Sequence, residues 1–476
     1  MTENNDFPKG WERTTIGDIV SFDYGKGLRK DRRDQSGNIP VYGSNGIVGY
    51  HSAALVDSPC LVVGRKGTTG AVHLSKVPCW PIDTTYFVIP PDGINLGFLF
   101  YLLSSLQLEK LDRSTAIPGL NRNDAYAIEI AIPPFPEQER IVAKIEELFT
   151  QLEAGVAELQ QARASLQRYR QAVLKSAVEG ELTREWREAH QSELEPAEKL
   201  LARILSERRA KWEAGQKTGD GRRRKKFKEP KEPDVEGLQE LPEGWVWTHI
   251  EPLLEVTRDG MKTGPFGTLL KKHEHREEGV PVIGIENIGV MQYVPGGKIH
   301  ITSEKADQLA KYDVQEGDLV ISRSGTVGEV AVIPDGLGEA RLSTNVMRIT
   351  LAPSGMRSMF LAFLFNGSPF VLGQVSDLCK GSTRDFLNQR ILKSIIFPLP
   401  PLAEQDLIIQ KVERRLSVAD EIEKELDQAL ARSERLRQSI LKRAFEGRLI
   451  GQKSNVIHQE ISHGKNQNPP RSKSPG

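Results

Sequence analysis

The feature that most constrains this fold is an internal repeat, because a missed repeat misassigns every element built on it. PPFPEQERIVAKIEELF from Pro133 aligns with PPLAEQDLIIQKVERRL from Pro400, and QAVLKSAVEGEL from Gln171 aligns with QSILKRAFEGRL from Gln438. Both matches share an offset of 267, and no gap separates them. Over this stretch of about 50 residues roughly 21 positions are identical, so two copies of one structural unit are present. Fainter matches extend the repeat toward the N-terminus. FPKGWERTTI from Phe7 pairs with LPEGWVWTHI from Leu241, IPVYG from Ile39 with VPVIG from Val280, and LVVGRKGTTGAV from Leu61 with LVISRSGTVGEV from Leu319. The offsets grow from 234 through 241 and 258 to 267, so the front of the second copy carries insertions and the back carries none. A variable, loop-rich module beside a constrained packing element behaves in this way.

The front part of each copy is rich in Gly and Pro and in short β-branched runs such as PCLVVG, TTYFVIPP, GDLVIS and VMRITLAP. These predict a small β-dominated domain. GFLFYLLSSLQLEKL (residues 97–111) and MRSMFLAFLFNG (residues 356–367) have the length and apolar content of buried helices, which makes the class α+β. The back part reads differently. Residues 137–180 contain no proline and place Ile145, Leu152, Leu159, Leu166 and Val173 at one heptad position, with Ile141, Leu148, Ala162 and Tyr169 at the other. The second copy repeats the pattern with Val412, Ala419, Leu426 and Ile440, and with Ile408, Ile422, Ala429 and Leu436. About 40 residues at ~1.5 Å rise give a helix of roughly 60 Å. Such a helix overhangs a domain of ~130 residues, whose radius of gyration is about 14 Å, so two matched seams are expected to pair with each other, the alternative being two amphipathic helices each packed on its own domain.

Between the copies, SELEPAEKLLARILSERRAKWEAGQ predicts a further helix and TGDGRRRKKFKEPKEPDVEG a charged linker, whose basic run Arg222 to Lys228 is a candidate phosphate contact or a solvated stretch. The expected division is 1–134, first globular domain; 135–215, first helical region; 216–240, linker; 241–401, second globular domain; 402–450, second helical region; 451–476, disordered tail. A chain of 476 residues exceeds one ordinary core, in keeping with several domains. No apolar run approaches the roughly 20 residues of a bilayer span, and the polar start MTENNDFPKGW has no secretory apolar region, so a cytoplasmic protein with no membrane partner is expected. With 64 basic and 64 acidic residues, any nucleic-acid binding must come from local patches.

Several chemistries are missing. Cys60, Cys79 and Cys379 form no CxxC pair and have no His at ligand spacing, so they are expected as buried thiols with no metal site. His273 and His275 alternate in a basic loop and make no ligand set. There is no Gly-x-x-x-x-Gly-Lys-Ser/Thr phosphate loop. Ala131-Ile132-Pro133-Pro134-Phe135 lacks the Asn or Asp with which amino-methyltransferases hold an extruded base, and PDGLGEAR from Pro334 is too compact for a metal-dependent nuclease set. No catalytic residues are expected.

The motifs then line up in one order in both copies: Gly-Trp-x-x-x-x-Ile (Gly10, Trp11, Ile16; Gly244, Trp245, Ile250), a Gly-Thr-x-Gly turn (Gly67 to Gly70) matched by Gly325 to Gly328, Leu-Asn (Leu120, Asn121; Leu387, Asn388), then Pro-Pro-x-x-Glu-Gln entering a helix that ends near Glu-Gly-x-Leu. Over about residues 7–450 the chain resembles the specificity subunits of Type I restriction-modification enzymes. The resemblance implies two target-recognition domains separated by helices forming an antiparallel coiled coil, a tandem repeat with a pseudo-twofold axis that suits the dyad of duplex DNA. It implies double-stranded DNA, two methyltransferase subunits and two restriction subunits as partners. S-adenosylmethionine, ATP and Mg are implied in those partners and no cofactor on this chain. Diverged heads imply two unlike half-sites, with the helix pair acting as a ruler between them.

Base edges are read by hydrogen-bonding side chains, while phosphate contacts position the protein. In the first copy the candidates are Lys26, Arg29, Lys30, Arg32, Arg33, Arg65, Lys66, Thr68, Thr69, Asn121, Arg122 and Asn123. In the second they are Lys262, Thr263, Lys271, Lys272, Arg323, Ser324, Thr326, Thr383, Arg384, Asn388 and Gln389. The matched Arg65 and Arg323 have an alternative as internal ion-pair partners, and the matched Asn121 and Asn388 as holders of the fold, since readers of unlike half-sites should differ. Glu137, Gln138, Glu404 and Gln405, with the Glu-Gly-x-Leu ends, are the expected subunit-docking surfaces, unless the carboxylates serve the helix dipole. The competing function is a coiled-coil scaffold that binds protein and has no DNA role.

Overall fold

The computed structural model describes residues 7–34, 37–111, 119–216, 227–256, 258–297, 299–380 and 386–451. The expected tail beyond Gly451 and most of the linker's basic run lie outside these residues. Each Pro-Pro pair opens a single 44-residue helix, Phe135–Val178 in the first copy and Leu402–Phe445 in the second. The chain divides into two compact units, and the division cuts both helices: one unit gathers residues up to Gln161 with those from Leu426 onward, the other spans Ala162–Glu425.

In the first unit, a four-stranded antiparallel sheet runs in the order Asp23–Tyr24, Thr85–Val88, Cys60–Gly64, Val72–Ser75. The central strand Cys60–Gly64 is apolar throughout and wholly buried, as a strand covered on both faces must be. A smaller sheet orders Gly46–His51, Ile39–Gly43 and Trp80–Pro81. Glu12–Thr15 pairs antiparallel with Glu129–Ile132, closing the start of the domain onto its end just before the long helix. The expected apolar helix is present as Leu96–Ser105, N-capped by Asn95, whose side chain accepts from the Phe98 N–H at 3.0 Å. Its Phe98, Leu99, Leu102 and Leu103 share a core with Ile141, Ile145 and Phe149 of the first long helix and Ile440, Leu441 and Ala444 of the second.

The second unit repeats this plan. Its larger sheet runs Met261–Thr263, Val346–Ile349, Leu319–Ser322, Val330–Val332, in the order seen in the first unit, and adds Met291–Gln292 at the edge. His300–Ile301, Val280–Ile283, Ala340–Leu342 and Asp313–Val314 form the smaller sheet, and Val246–His249 pairs with Ile396–Leu399. Three of these strands and the helix Ser303–Gln308 lie between Val280 and Leu319, where the repeat offset grows from 241 to 258. Val173, Leu174, Ala177 and Val178 from the end of the first long helix enter this core, with Ile408 and Val412 from the start of the second. The predicted intervening helix is Ala197–Gln216, packing Ala197, Leu200 and Ile204 here. Each unit thus combines one copy's domain and helix start with the far end of the other copy's helix.

Inside each unit the two helical segments run antiparallel. In the first, the Arg437 guanidinium lies 4.2 Å from the Phe149 ring centroid and pairs with Glu153 at 3.3 Å. In the second, Arg170 reaches Glu423 at 2.9 Å and Asp420 at 2.6 Å, and the Lys411 ammonium donates to the Leu182 carbonyl at 3.1 Å. One expected heptad position is buried or partly buried throughout, while the second is buried at the helix starts, at Ile141 and Ile408, and opens farther along. Ile145, Leu166, Val173, Val412, Ala419 and Ile440 are buried, whereas Tyr169, Ile422 and Leu436 are exposed, as is Val418. Two helices alone cannot wrap an apolar stripe wider than their own contact line.

The matched motifs meet one another. Gly180, of the first Glu-Gly-x-Leu, has φ 76° and packs so tightly that a Cβ would lie 2.6 Å from Pro242 and 3.1 Å from Trp245. Gly447, its counterpart in the first unit, has φ 70° and would place a Cβ 2.3 Å from Pro8. In the second unit Glu404 accepts from Arg187 at 2.6 Å, from the Thr183 hydroxyl at 2.6 Å and from the Trp245 indole N–H at 2.8 Å. Gln138 accepts from the Asn95 N–H at 2.8 Å and donates to the Gly93 and Pro133 carbonyls. Gln405 likewise accepts from the Arg357 N–H and donates to the Pro400 carbonyl. Gln138, Glu404 and Gln405 are therefore buried joints between helix and domain, with no side-chain surface to present to another subunit. Glu137 is only partly buried.

Candidate nucleic-acid interface

Three loops converge at one end of the larger sheet in each unit, and the same backbone hydrogen bonds hold them. The first follows the edge strand. Gly25 donates to the Thr85 carbonyl and would bring a Cβ within 2.1 Å of the Ile82 carbonyl oxygen; Gly264 donates to the Val346 carbonyl and would bring one within 1.8 Å of the Ser343 carbonyl oxygen. Only glycine passes so close to a neighbouring chain segment. The second is the Gly-Thr-x-Gly turn, closed by Gly70 N–H to the Gly64 carbonyl at 2.8 Å and by Gly328 N–H to the Ser322 carbonyl at 3.1 Å. Its glycines all have positive φ, from 77° to 90°. The third carries the Leu-Asn pair: Leu120 N–H donates to the Arg65 carbonyl at 3.0 Å and Leu387 N–H to the Arg323 carbonyl at 2.9 Å. Arg65, Lys66 and Asn121 in the first copy, and Thr263, Arg323, Asn388 and Gln389 in the second, far apart in sequence, come together on this frame.

What the candidates do there differs. Asn121 and Asn388 are helix N-caps, their side chains accepting from the Asn123 and Ile391 N–H groups at 3.0 Å. The matched arginines bond to carbonyls. Arg65 donates to Asp83 through Nε and Nη2, and Arg323 to Leu387 and Thr344. Burial pushes the Arg323 guanidinium below its ordinary value. Arg33 is likewise tied to the Leu28 and Val48 carbonyls. Thr69 is buried, whereas Lys66, Thr68 and Asn123 are exposed. Lys26, Arg29, Lys30 and Arg32 stand exposed on the first loop of the first unit, a concentrated positive patch on a chain of zero net charge. In the second unit Lys271, Lys272 and Thr326 are placed toward solvent, Lys262 pairs with Asp259 at 2.6 Å, Thr263 accepts from Gln389 at 3.2 Å, and Thr326 and Ser324 both lie close to Ser322. Thr383 and Arg384 lie outside the described residues.

Aromatic rings join the same surface. Tyr24 is exposed and lies 5.4 Å from both the Arg65 and the Arg122 guanidinium carbons, while burial and the neighbouring Tyr24 push the Tyr86 hydroxyl beside it up to about 12. Phe386 is exposed 4.5 Å from the Arg323 guanidinium, and Phe266 tips the first loop of the second unit. The sequence does not mark these rings as functional. Their only signal is an aromatic residue near a glycine at a loop end, and a pattern of apolar and polar positions assigns such a residue to the core.

The family model for the Type I restriction modification DNA specificity domain matches residues 8–161 and 259–432, once on each copy. The chain belongs to the Type I restriction-modification DNA specificity family. Curated relatives include the Type I restriction enzyme EcoDI specificity subunit of Escherichia coli, 26% identical over 94% of this chain and 90% of that one. The StySPI specificity subunit of Salmonella potsdam is 25% identical over 96% and 93%. A solved structure concerning complex assembly and conformational transition of the type I R-M system has a TM-score of 0.64 over 93% of this chain and 100% of that chain, at 17% identity, a likeness of fold. As a specificity subunit the chain is not itself a catalyst, and its family role is recognition of a DNA target. Among the described residues no group of His, Cys, Asp or Glu is arranged to hold a metal. No single described helix is long and apolar enough to cross a membrane, and the bent apolar pair Ser358–Gly367 and Pro369–Cys379 belongs to the core of the second unit.

Proposed function

We propose that each unit reads one half of a split, asymmetric duplex target, and that the chain brings to it two methyltransferase subunits and, in the full cytoplasmic assembly, two restriction subunits. The observation that carries this reading is one scaffold used twice with different side chains. The hydrogen bonds at Gly25 and Gly264, Gly70 and Gly328, Leu120 and Leu387 are equivalent, while the residues they display are Lys26, Arg29 and Lys30 in one unit and Phe266, Lys271 and Lys272 in the other. A shared frame with unlike readers suits two unlike half-sites. S-adenosylmethionine, ATP and Mg then belong to the partners. Because Gln138, Glu404 and Gln405 are buried, the docking role falls to exposed apolar positions on the long helices: Tyr169, Val418 and Ile422 in the second unit and Leu436 in the first.

The test is co-expression with the cognate methyltransferase subunit in a methylation-free host, with modified adenines mapped by single-molecule sequencing. Two unlike half-sites around a fixed gap, with a methylated adenine on each strand, are expected. Methylation of a continuous site, or none from a formed complex, refutes the reading. A protein-binding scaffold would show no salt-dependent affinity for duplex DNA, whereas a phosphate-contacting reader loses affinity steeply with salt.

A further inference from the structure

Phe266 is the most exposed large apolar side chain among the described residues, at 73%. A single exposed phenylalanine is ordinary on a protein surface and by itself says nothing. What distinguishes this one is how it is held. The loop leaves its strand through Gly264, pinned to the Val346 carbonyl at 3.0 Å, and through a buried Pro265 whose ring fixes φ. It closes in a short turn, Leu269 N–H donating to the Phe266 carbonyl at 2.8 Å, and returns to the core at Leu270. Both ends of the loop are therefore anchored, and the ring projects from a preorganised tip with Leu269 exposed beside it.

The tip is flanked by cations. Lys271 and Lys272 are exposed and make no ion pair among the described residues. The nearest acid in sequence, Glu274, is already engaged by the Lys271 N–H at 2.7 Å and the Lys305 ammonium at 2.7 Å, which hold its carboxyl below the usual carboxylate range. On the strand side the loop adjoins Thr263 and its Gln389 partner. An apolar ring on a stiff support, between ammonium groups able to neutralise phosphates and a polar pair able to meet base edges, has the build of an intercalating wedge.

We propose that Phe266 inserts between adjacent base pairs of the half-site read by the second unit, unstacking one step while Lys271 and Lys272 hold the flanking phosphates. The inference rests on the DNA reading above. It also separates the two units: the equivalent loop of the first carries Lys26, Gly27, Arg29 and Lys30 after Gly25 and has no ring to insert.

The experiment uses the complete chain assembled with its methyltransferase subunit, as wild type, Phe266→Ala and Phe266→Leu. The duplexes carry the mapped target, with 2-aminopurine placed in turn at each step of the second half-site. A wedge predicts raised 2-aminopurine fluorescence at one step with wild type, loss of that signal with Phe266→Ala, and partial rescue with Phe266→Leu. Affinity should fall roughly 10- to 100-fold with Phe266→Ala, the scale of removing one aromatic–base stack, with the salt slope unchanged because no cation is removed. If Phe266→Ala binds and unstacks like wild type, the wedge is wrong although DNA reading stands. If the variant instead fails to assemble with the methyltransferase subunit while duplex binding by the assembled fraction is normal, the tip is a protein-docking residue and the proposal is overturned. A wild-type complex with neither a split methylation pattern nor salt-dependent duplex binding removes the underlying reading, and the wedge falls with it.

Discussion

Glu404 and Glu137 are equivalent in the repeat but not in the structure. Glu404 is fully buried and gathers Arg187, Thr183 and the Trp245 indole, whereas Glu137 is only partly buried and the Trp11 indole Nε1 is buried without a hydrogen-bond partner among the described residues. The cause lies downstream of Glu-Gly-x-Leu, where Thr183 and Arg187 follow in the first copy and Ile450 stands at the position of Thr183 in the second. A buried carboxylate stripped of its cation is costly, so Arg187→Met should destabilise the second unit by about 3–5 kcal/mol. Glu137→Gln should stay within about 0.5 kcal/mol. Urea midpoints of the two variants against wild type check this, and equal effects would mean the cluster holds little. Asn121→Ala and Asn388→Ala remove N-caps and should each cost about 1 kcal/mol. Because the Asn side chains face their own helix ends, the methylated motif should not change; a relaxed motif would make them readers after all.

At the scale of elements, the anchored loops decide what each unit displays. Replacing Arg29, Lys30 and Arg32 with alanine removes exposed charge from the first loop of the first unit. For every phosphate interaction that disappears, the slope of log affinity against log salt should fall by about 0.9, with weakening that is similar across DNA sequences. Salt titrations by fluorescence anisotropy measure it, and an unchanged slope would place these residues away from DNA. The strands and helices behind the loops were legible in advance because their signals are local: a run such as CLVVG, the apolar helix within residues 97–111, the proline-free stretch 137–180. Where the second heptad position opens was not. Tyr169, Ile422 and Leu436 satisfy the spacing but stand open, because periodicity marks an apolar stripe and not how much of it a given neighbour covers.

For the whole molecule, the proposed ruler makes a prediction of its own. Inserting four residues at matched positions of both long helices, about 6 Å of added rise, should lengthen the gap of the methylated target by about one or two base pairs and leave both half-sites unchanged. Methylation mapping of the elongated chain with its partner tests this, and altered half-sites at a constant gap would exclude a ruler. The repeat, the α+β class, the two long helices and the family were all determined by the sequence alone, since identity at a fixed offset and apolar periodicity are properties of the chain before it folds. Tertiary structure alone decided that Gly-Trp and Glu-Gly-x-Leu match because they pack together, that Gln138, Glu404 and Gln405 are joints, and that the paired arginines bind carbonyls. Burial and hydrogen-bond partnership depend on residues far apart in sequence, and a carboxylate at a helix start reads the same whether it faces water or an arginine 217 positions away.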